Sequence, residues 1–219
     1  MLPNFIHRSI IGGRSKLDKW LKFNRCALCT KISKHAPWCE SCLGDFPSWA
    51  GQRLQIKHLD NVSVAYRYEY PLDRLIQHAK FKSNYTLIQS LSKLMPLPTL
   101  SGMQTMIYPV PVTKRRLLQR GFNQSRVLAE YIKSLTAIDI DEVSIHKLAG
   151  RSDQSRLSAR ERKRNAKDLF RGKFGAPVAE HAIIVDDVIT TGATISALAK
   201  LLRANGAKRV DGIALAGVP

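Results

Sequence analysis

The chain has 219 residues, 44% of them apolar, with 35 Lys+Arg against 17 Asp+Glu and a formal net charge of +18. That length suits one medium α/β domain with a small appendage, and the apolar fraction supports a packed core and excludes a disordered chain. The positive field concentrates polyanions, with nucleic acid first among them.

The N-terminus, MLPNFIHRSIIGG, has too short an apolar run for a signal segment, and no run of membrane-spanning length follows. A cytoplasmic location with reduced thiols is therefore expected. Lys16, Lys19, Lys22 and Arg25 interleave with Leu17, Trp20, Leu21 and Phe23, as in a short basic amphipathic helix. Next come Cys26-Ala-Leu-Cys29, nine further residues, and Cys39-Glu-Ser-Cys42. Two C-x-x-C turns can present four thiolates to one ion. A redox motif would explain one pair but not its duplicate, so the expectation is structural Zn2+ on Cys26, Cys29, Cys39 and Cys42. A site closed by four sulfurs has no open position for chemistry. Residues 1–60 are taken as an N-terminal basic segment with a zinc finger, and 61–219 as a second domain.

From Val62 to Tyr70 apolar and polar residues alternate, which is strand periodicity, and Pro71 ends it. Leu72, Leu75, Ile76 and Ala79 then recur at helical spacing, and another helix is expected over Leu87 to Leu94. Met95 to Gly102 reads as a linker. Thr105 to Val112 is an apolar strand closed by Pro109 and Pro111, followed by a basic turn, Lys114-Arg115-Arg116. Asn123 and Ser125 offer caps to a helix whose apolar face carries Val127, Leu128, Tyr131, Ile132 and Leu135. A short strand over Ser144 to Leu148 precedes a long polar segment. The chain then shows a strand (Ala182 to Val185), a loop, a helix to Ala204, the stop Asn205-Gly206, and a strand from Arg209 to Leu215. This order predicts a parallel α/β sheet flanked by helices.

The loop "IIVDDVITTGATI" (183–195) places Asp186 and Asp187 at the end of a strand and Gly192 where the next helix begins. Free N–H groups at a helix start favour a phosphate, and Gly192 lets the backbone approach it. Thr190, Thr191 and Thr194 add hydroxyl donors, while the carboxylates accept from hydroxyls. A ribose 5-phosphate group satisfies both halves. The loop is not a P-loop, because no Lys follows the glycine, nor a G-x-G-x-x-G fingerprint. A capped turn needs one such residue, not two acids and three threonines.

The stretch from Ile183 to Thr194 resembles the phosphoribosyl pyrophosphate (PRPP) motif of type I phosphoribosyltransferases. The resemblance implies that Asp186 and Asp187 hold the ribose 2- and 3-hydroxyls, and that Thr190, Thr191, Gly192, Ala193 and Thr194 hold the 5-phosphate. Together with the cysteine pairs, "VPVTKRRLLQRGFNQS" (110–125) and "RSDQSRLSARERKRN" (151–165), the pattern is similar to the ComF/GntX family of DNA uptake and competence. It implies a pyrophosphate loop containing Thr113, Lys114 and Arg115, and a flexible loop over 151–167. Mg2+ is expected to accompany PRPP.

From Lys147 to Lys173 ten Lys or Arg stand against Asp153, Glu161 and Asp168, more cations than one pyrophosphate needs. Arg115, Arg116, Arg120, Arg151, Arg156, Arg160, Arg162, Lys163 and Arg164 are the candidates for a nucleic-acid backbone, single-stranded DNA being expected. Phe122, Phe170 and Phe174 are candidate stacking rings or core residues. Two readings follow. One is a PRPP-binding, zinc-containing protein that binds single-stranded DNA and acts with other DNA-uptake proteins in natural transformation or use of external DNA. The other is an active transferase moving ribose 5-phosphate from PRPP to a base or amine with release of pyrophosphate. With no hood expected after Pro219, the zinc segment and the region from Val62 to Leu94 are expected to cover the site.

Overall fold

The computed structural model describes residues 25–33, 37–49, 54–141, 143–148 and 169–219. The basic stretch from Lys16 to Phe23 lies outside them. The chain divides into two compact units, Met1–Pro47 and Ser48–Pro219.

In the first unit a tight turn follows Cys26. The Thr30 amide donates to the Cys26 carbonyl (2.9 Å) and the Cys26 amide to Lys31 (2.8 Å), with Thr30 at φ 61°. Arg25 and Ile32 form an antiparallel bridge across it. Helix α1 (Glu40–Gly44) starts on Cys39 as its N-cap. Trp38 and Phe46 are buried in edge-to-face contact, with ring centroids 5.4 Å apart.

The second unit contains β1 (Asn61–Arg67), α2 (Leu72–Phe81), α3 (Tyr85–Ser92), β2 (Thr105–Pro109), α4 (Lys114–Arg120) and α5 (Gln124–Thr136). They are followed by β3 (Ile145–Lys147), β4 (Phe170–Gly172), β5 (His181–Ile189), α6 (Ala193–Ala204) and β6 (Arg209–Gly217). Four strands form a parallel sheet in the order β1-β6-β5-β2, and β3 pairs antiparallel with β4. Residues upstream of β1 join this unit, since the Trp49 amide donates to the Ala65 carbonyl and Asp60 to that of Val210. The expected parallel sheet flanked by helices is what the structure has.

The central strands explain themselves. Residues 182–185 of β5 and 210–216 of β6 are buried without alternation, as a strand covered on both faces requires. Helix α5 packs Val127, Leu128 and Ile132 onto β2 and β5; α6 packs Ile195, Leu198 and Leu202 onto β5 and β6.

Several elements differ from the sequence expectation: β1 ends at Arg67 and β2 at Pro109, each earlier than expected, and β4 lies in the segment read as polar. Strand β5 does not stop at Val185 but runs through both acids to Ile189, because Asp186, Val188 and Ile189 keep register with Ala214, Ala216 and Gly217 of β6. The basic turn 114–116 is the first turn of a helix. Thr113 accepts from the Arg116 amide at its start, and Gly121, at φ 78°, ends it in the left-handed region.

At the amino ends of the central strands sits a polar network. His181, fully buried, joins Asp211 Oδ2 through Nε2 (3.0 Å) and Ser101 Oγ through Nδ1 (2.8 Å). Arg209 Nη2 lies 2.8 Å from the same carboxylate. Asp211→Ala leaves His181 and Arg209 without their shared acceptor and is expected to cost roughly 3 kcal/mol. Urea unfolding should show the lower midpoint with an unchanged slope.

Candidate functional site

The four cysteine sulfurs lie within 4.8 Å of one another, Cys29 and Cys39 at 3.6 Å. Zn–S bonds of about 2.3 Å in a tetrahedron set sulfurs about 3.8 Å apart, so the cluster fits such an ion. Burial opposes ionisation of Cys26, yet backbone donors from Cys29, Cys39 and Leu28 bring its thiol down to about 7. Burial and the three neighbouring sulfurs push Cys42 up instead. Crowded sulfurs of this kind repel one another once ionised, and a divalent ion relieves that repulsion. These four cysteines could hold a metal ion.

The second cluster is built at the carboxyl ends of β5 and β2, which lie side by side in the sheet. There, loops and helix starts leave donors facing outward. Asp187 is buried, and its Oδ2 lies 2.7 Å from Lys80 Nζ of α2. Asp186 Oδ1 accepts from the Ser125 hydroxyl and from the Asp187 amide, both at 2.9 Å. Asn123 fixes that side: its Nδ2 donates to Val110 O (3.1 Å), and its Oδ1 accepts from the Ser125 amide (3.2 Å). The start of α5 is thereby tied both to the chain leaving β2 and to the first acid.

The loop after β5 runs through exposed Thr190 and Thr191 to Gly192, the N-cap of α6 at φ 72°. The φ requires glycine, and a Cβ there would also sit 2.7 Å from Ile56 Cδ1 and force that side chain to shift. Beyond this glycine Ala193 and Thr194 open the helix, where the Ala193 amide makes a long bond to Thr191 Oγ1 (3.4 Å) and the amides of the first turn have no carbonyl partner within the helix.

Cations surround the pair. Arg120, its basicity lowered first by burial and then by Arg116, feels the field of Asp187 and donates to Gln124 Oε1 (3.2 Å). Lys147, at the end of β3, is lowered first by burial; Asp186 and Asp187 pull it up and Arg116 down. Gln124 is buried, and its Nε2 has no hydrogen-bond partner among the described residues, an unspent donor one residue from Ser125.

The Asp186 carboxyl is pushed up to about 7, first by burial and then by the charge of Asp187, against the pull of Ser125, the Asp187 amide and Lys80. In an unfolded chain it titrates near 4 (about 3.9). Between those values the native state holds a proton that the unfolded state has lost, so this group removes stability as pH rises from about 4 to about 7. Asp186→Asn is therefore expected to raise Tm by roughly a few degrees at pH 8, the gain fading as pH falls through that window. Melts at pH 8 and pH 4.5 check it; an equal gain at both would assign the effect to packing.

Asp186 and Asp187 lie in β5, a few residues before the Thr190–Thr194 loop. Thr113 caps α4, and Lys114, Arg115 and Arg116 stand exposed on its first turn rather than in a loop. Arg151, Arg156, Arg160, Arg162, Lys163 and Arg164 lie outside the described residues. Phe170 is core, whereas Phe122 meets Tyr85 edge-to-face at 5.4 Å. Sequence reasoning does not single out Lys80, Lys147 or Gln124 as site residues. Lys80 has the sequence context of an ordinary solvated lysine on an amphipathic helix. Its pairing does bring α2, within the region from Val62 to Leu94, to the acids.

No family model matches the chain. DNA utilization protein YhgH of Escherichia coli K12 is 36% identical over 212 residues, 93% of this chain and 86% of that protein. Competence protein F of Haemophilus influenzae is 30% identical over 218 residues, 94% and 90% of the two chains. Competence protein ComFC of Bacillus subtilis is 25% identical over 202 residues, 88% and 77%. Among solved structures, a hypoxanthine phosphoribosyltransferase from Staphylococcus aureus aligns with a TM-score of 0.33 and 14% identity, covering 67% of this chain and 65% of that one. Among the described residues no helix is long and apolar enough to cross a membrane.

Proposed function

This chain belongs to the ComF family of competence and DNA-utilization proteins, and within it we propose that the protein binds PRPP and single-stranded DNA in the uptake or use of external DNA. The observation that carries the PRPP half is the acid pair beside the Thr190–Thr194 loop. Asp186 and Asp187 accept from the ribose hydroxyls, and the α6 amides with the threonine hydroxyls donate to the 5-phosphate. Thr113, Lys114 and Arg115 face the diphosphate end, where Mg2+ supplies charge neutralisation. Arg116 and Arg120 add positive charge around the same anion.

Zinc on Cys26, Cys29, Cys39 and Cys42 holds the first unit together, consistent with reduced thiols in the cytoplasm. The DNA half rests on the net charge of +18 and on exposed Arg115 and Arg116. Affinity for a short oligothymidylate is expected to fall steeply with salt, and charge reversal at Arg162, Lys163 and Arg164 to weaken it.

Titration calorimetry with PRPP, with and without Mg2+, tests the reading; Mg2+-dependent binding is expected, and no binding in either condition sinks it. One observation favours a second reading, transfer of ribose 5-phosphate to a base or amine. A carboxyl that titrates near neutrality, as Asp186 does, is suited to move a proton in such a reaction. Pyrophosphate release above the hydrolysis background, across a panel of bases, selects that second reading.

A further inference from the structure

A cavity of about 880 Å³ opens at the carboxyl end of β2, between α3, α4, α5 and β3. Its volume is that of a small-molecule site. Neither acid of the pair nor any residue of the Thr190–Thr194 loop lines it. Its walls combine two kinds of group. Tyr85, about half exposed, and Phe122 supply aromatic surface. Lys114, Arg126 and Lys147 supply charge against a single acid, Glu130. Arg126 and Glu130 pair with each other at 2.9 Å, which leaves Lys114 and Lys147 without an ion-pair partner among the described residues. Lys147 Nζ instead sits 5.6 Å from the centroid of the Phe170 ring. A half-buried ammonium held over a ring, in a cavity wall, gains most from an anion that it can reach there.

We propose that this cavity takes one nucleotide unit, its base against Tyr85 and Phe122 and its phosphate against Lys147. The rings offer a stacking surface that any base can use, and Gln89 on the same wall offers an amide to the base edge. The unit is either a free nucleotide or one residue of a single strand. The proposal extends the DNA half of the function above and does not depend on PRPP.

The test uses the full chain, thymidine monophosphate and a short oligothymidylate as probes, and two variants, Tyr85→Leu with Phe122→Leu, and Lys147→Gln. Wild type is expected to bind the mononucleotide saturably and to keep it when PRPP is added. The double aromatic variant should weaken binding by roughly tenfold, and Lys147→Gln should weaken it in the same direction, with melting unchanged in both. If only the oligonucleotide binds and the variants weaken it, the source is the strand. Equal oligonucleotide affinity in wild type and variants overturns the cavity assignment and leaves surface DNA binding standing. Mononucleotide binding without strand binding upholds the cavity and sinks the DNA reading. Displacement of the mononucleotide by PRPP overturns the proposal, since the cavity would then be the diphosphate end of the sugar-phosphate site. Absence of binding by both probes sinks both.

Discussion

Asp186→Asn combined with Asp187→Asn is expected to abolish PRPP binding while the chain stays folded. Each amide keeps the shape of its carboxylate, so the side-chain carbonyl left at position 186 can still accept from Ser125, whose bond to Asp186 is 2.9 Å. The charge and half of the acceptor capacity are lost. Hydrogen bonds to charged groups contribute about 1.5–3 kcal/mol each. Two ribose hydroxyls deprived of them therefore lose at least about 3 kcal/mol, more than a hundredfold in affinity. The double variant also strands Lys80, whose ammonium is 2.7 Å from Asp187 Oδ2. Calorimetry in the presence of Mg2+ reads the loss, and normal binding would overturn the ribose assignment. Asp186→Asn alone should separate affinity from stability, losing the former and gaining the latter at alkaline pH.

Cys26→Ser combined with Cys39→Ser is expected to remove one equivalent of zinc per chain and to unfold the first unit. The buried apolar side chains described there are few: Cys26, Trp38, Cys42 and Phe46. A core of that size does not hold a segment of under 50 residues by itself. A four-sulfur zinc site contributes about 10–16 kcal/mol in finger peptides, and the folding of such units follows the metal. Elemental analysis reads the metal. Loss of the near-ultraviolet signal of Trp38, packed on Phe46 at 5.4 Å, reads the unfolding. The second unit, with its own sheet and core, should melt as in wild type, because among the described residues its strands pair with one another. A variant that keeps its zinc, or keeps the Trp38 signal without it, contradicts the structural role.

Both predictions concern residues that the sequence exposes, and the reason is local. The two C-x-x-C pairs sit in one short window, and the Asp-Asp and Thr-Thr-Gly-Ala-Thr runs are contiguous. Their chemistry is set by neighbours a few residues away. The helix α4 was legible in principle as well: Thr113 and Gly121 bracket it as cap and stop, but its arginines read more readily as a turn. The end of β5 was not legible, since two acids interrupt an apolar run and only the pairing with β6 carries the strand past them.

The sequence by itself determined the parallel α/β class, the four-sulfur cluster and the adjacent acids beside a threonine–glycine loop. Only the tertiary structure decided what surrounds those acids. Ser125 and Asp186 are 61 positions apart, and Lys80, Lys147 and the aromatic pair of the cavity come from separate elements. Parallel strands join through long crossovers, so the groups gathered at their carboxyl ends are distant in sequence by construction. No local spacing encodes which of them meet.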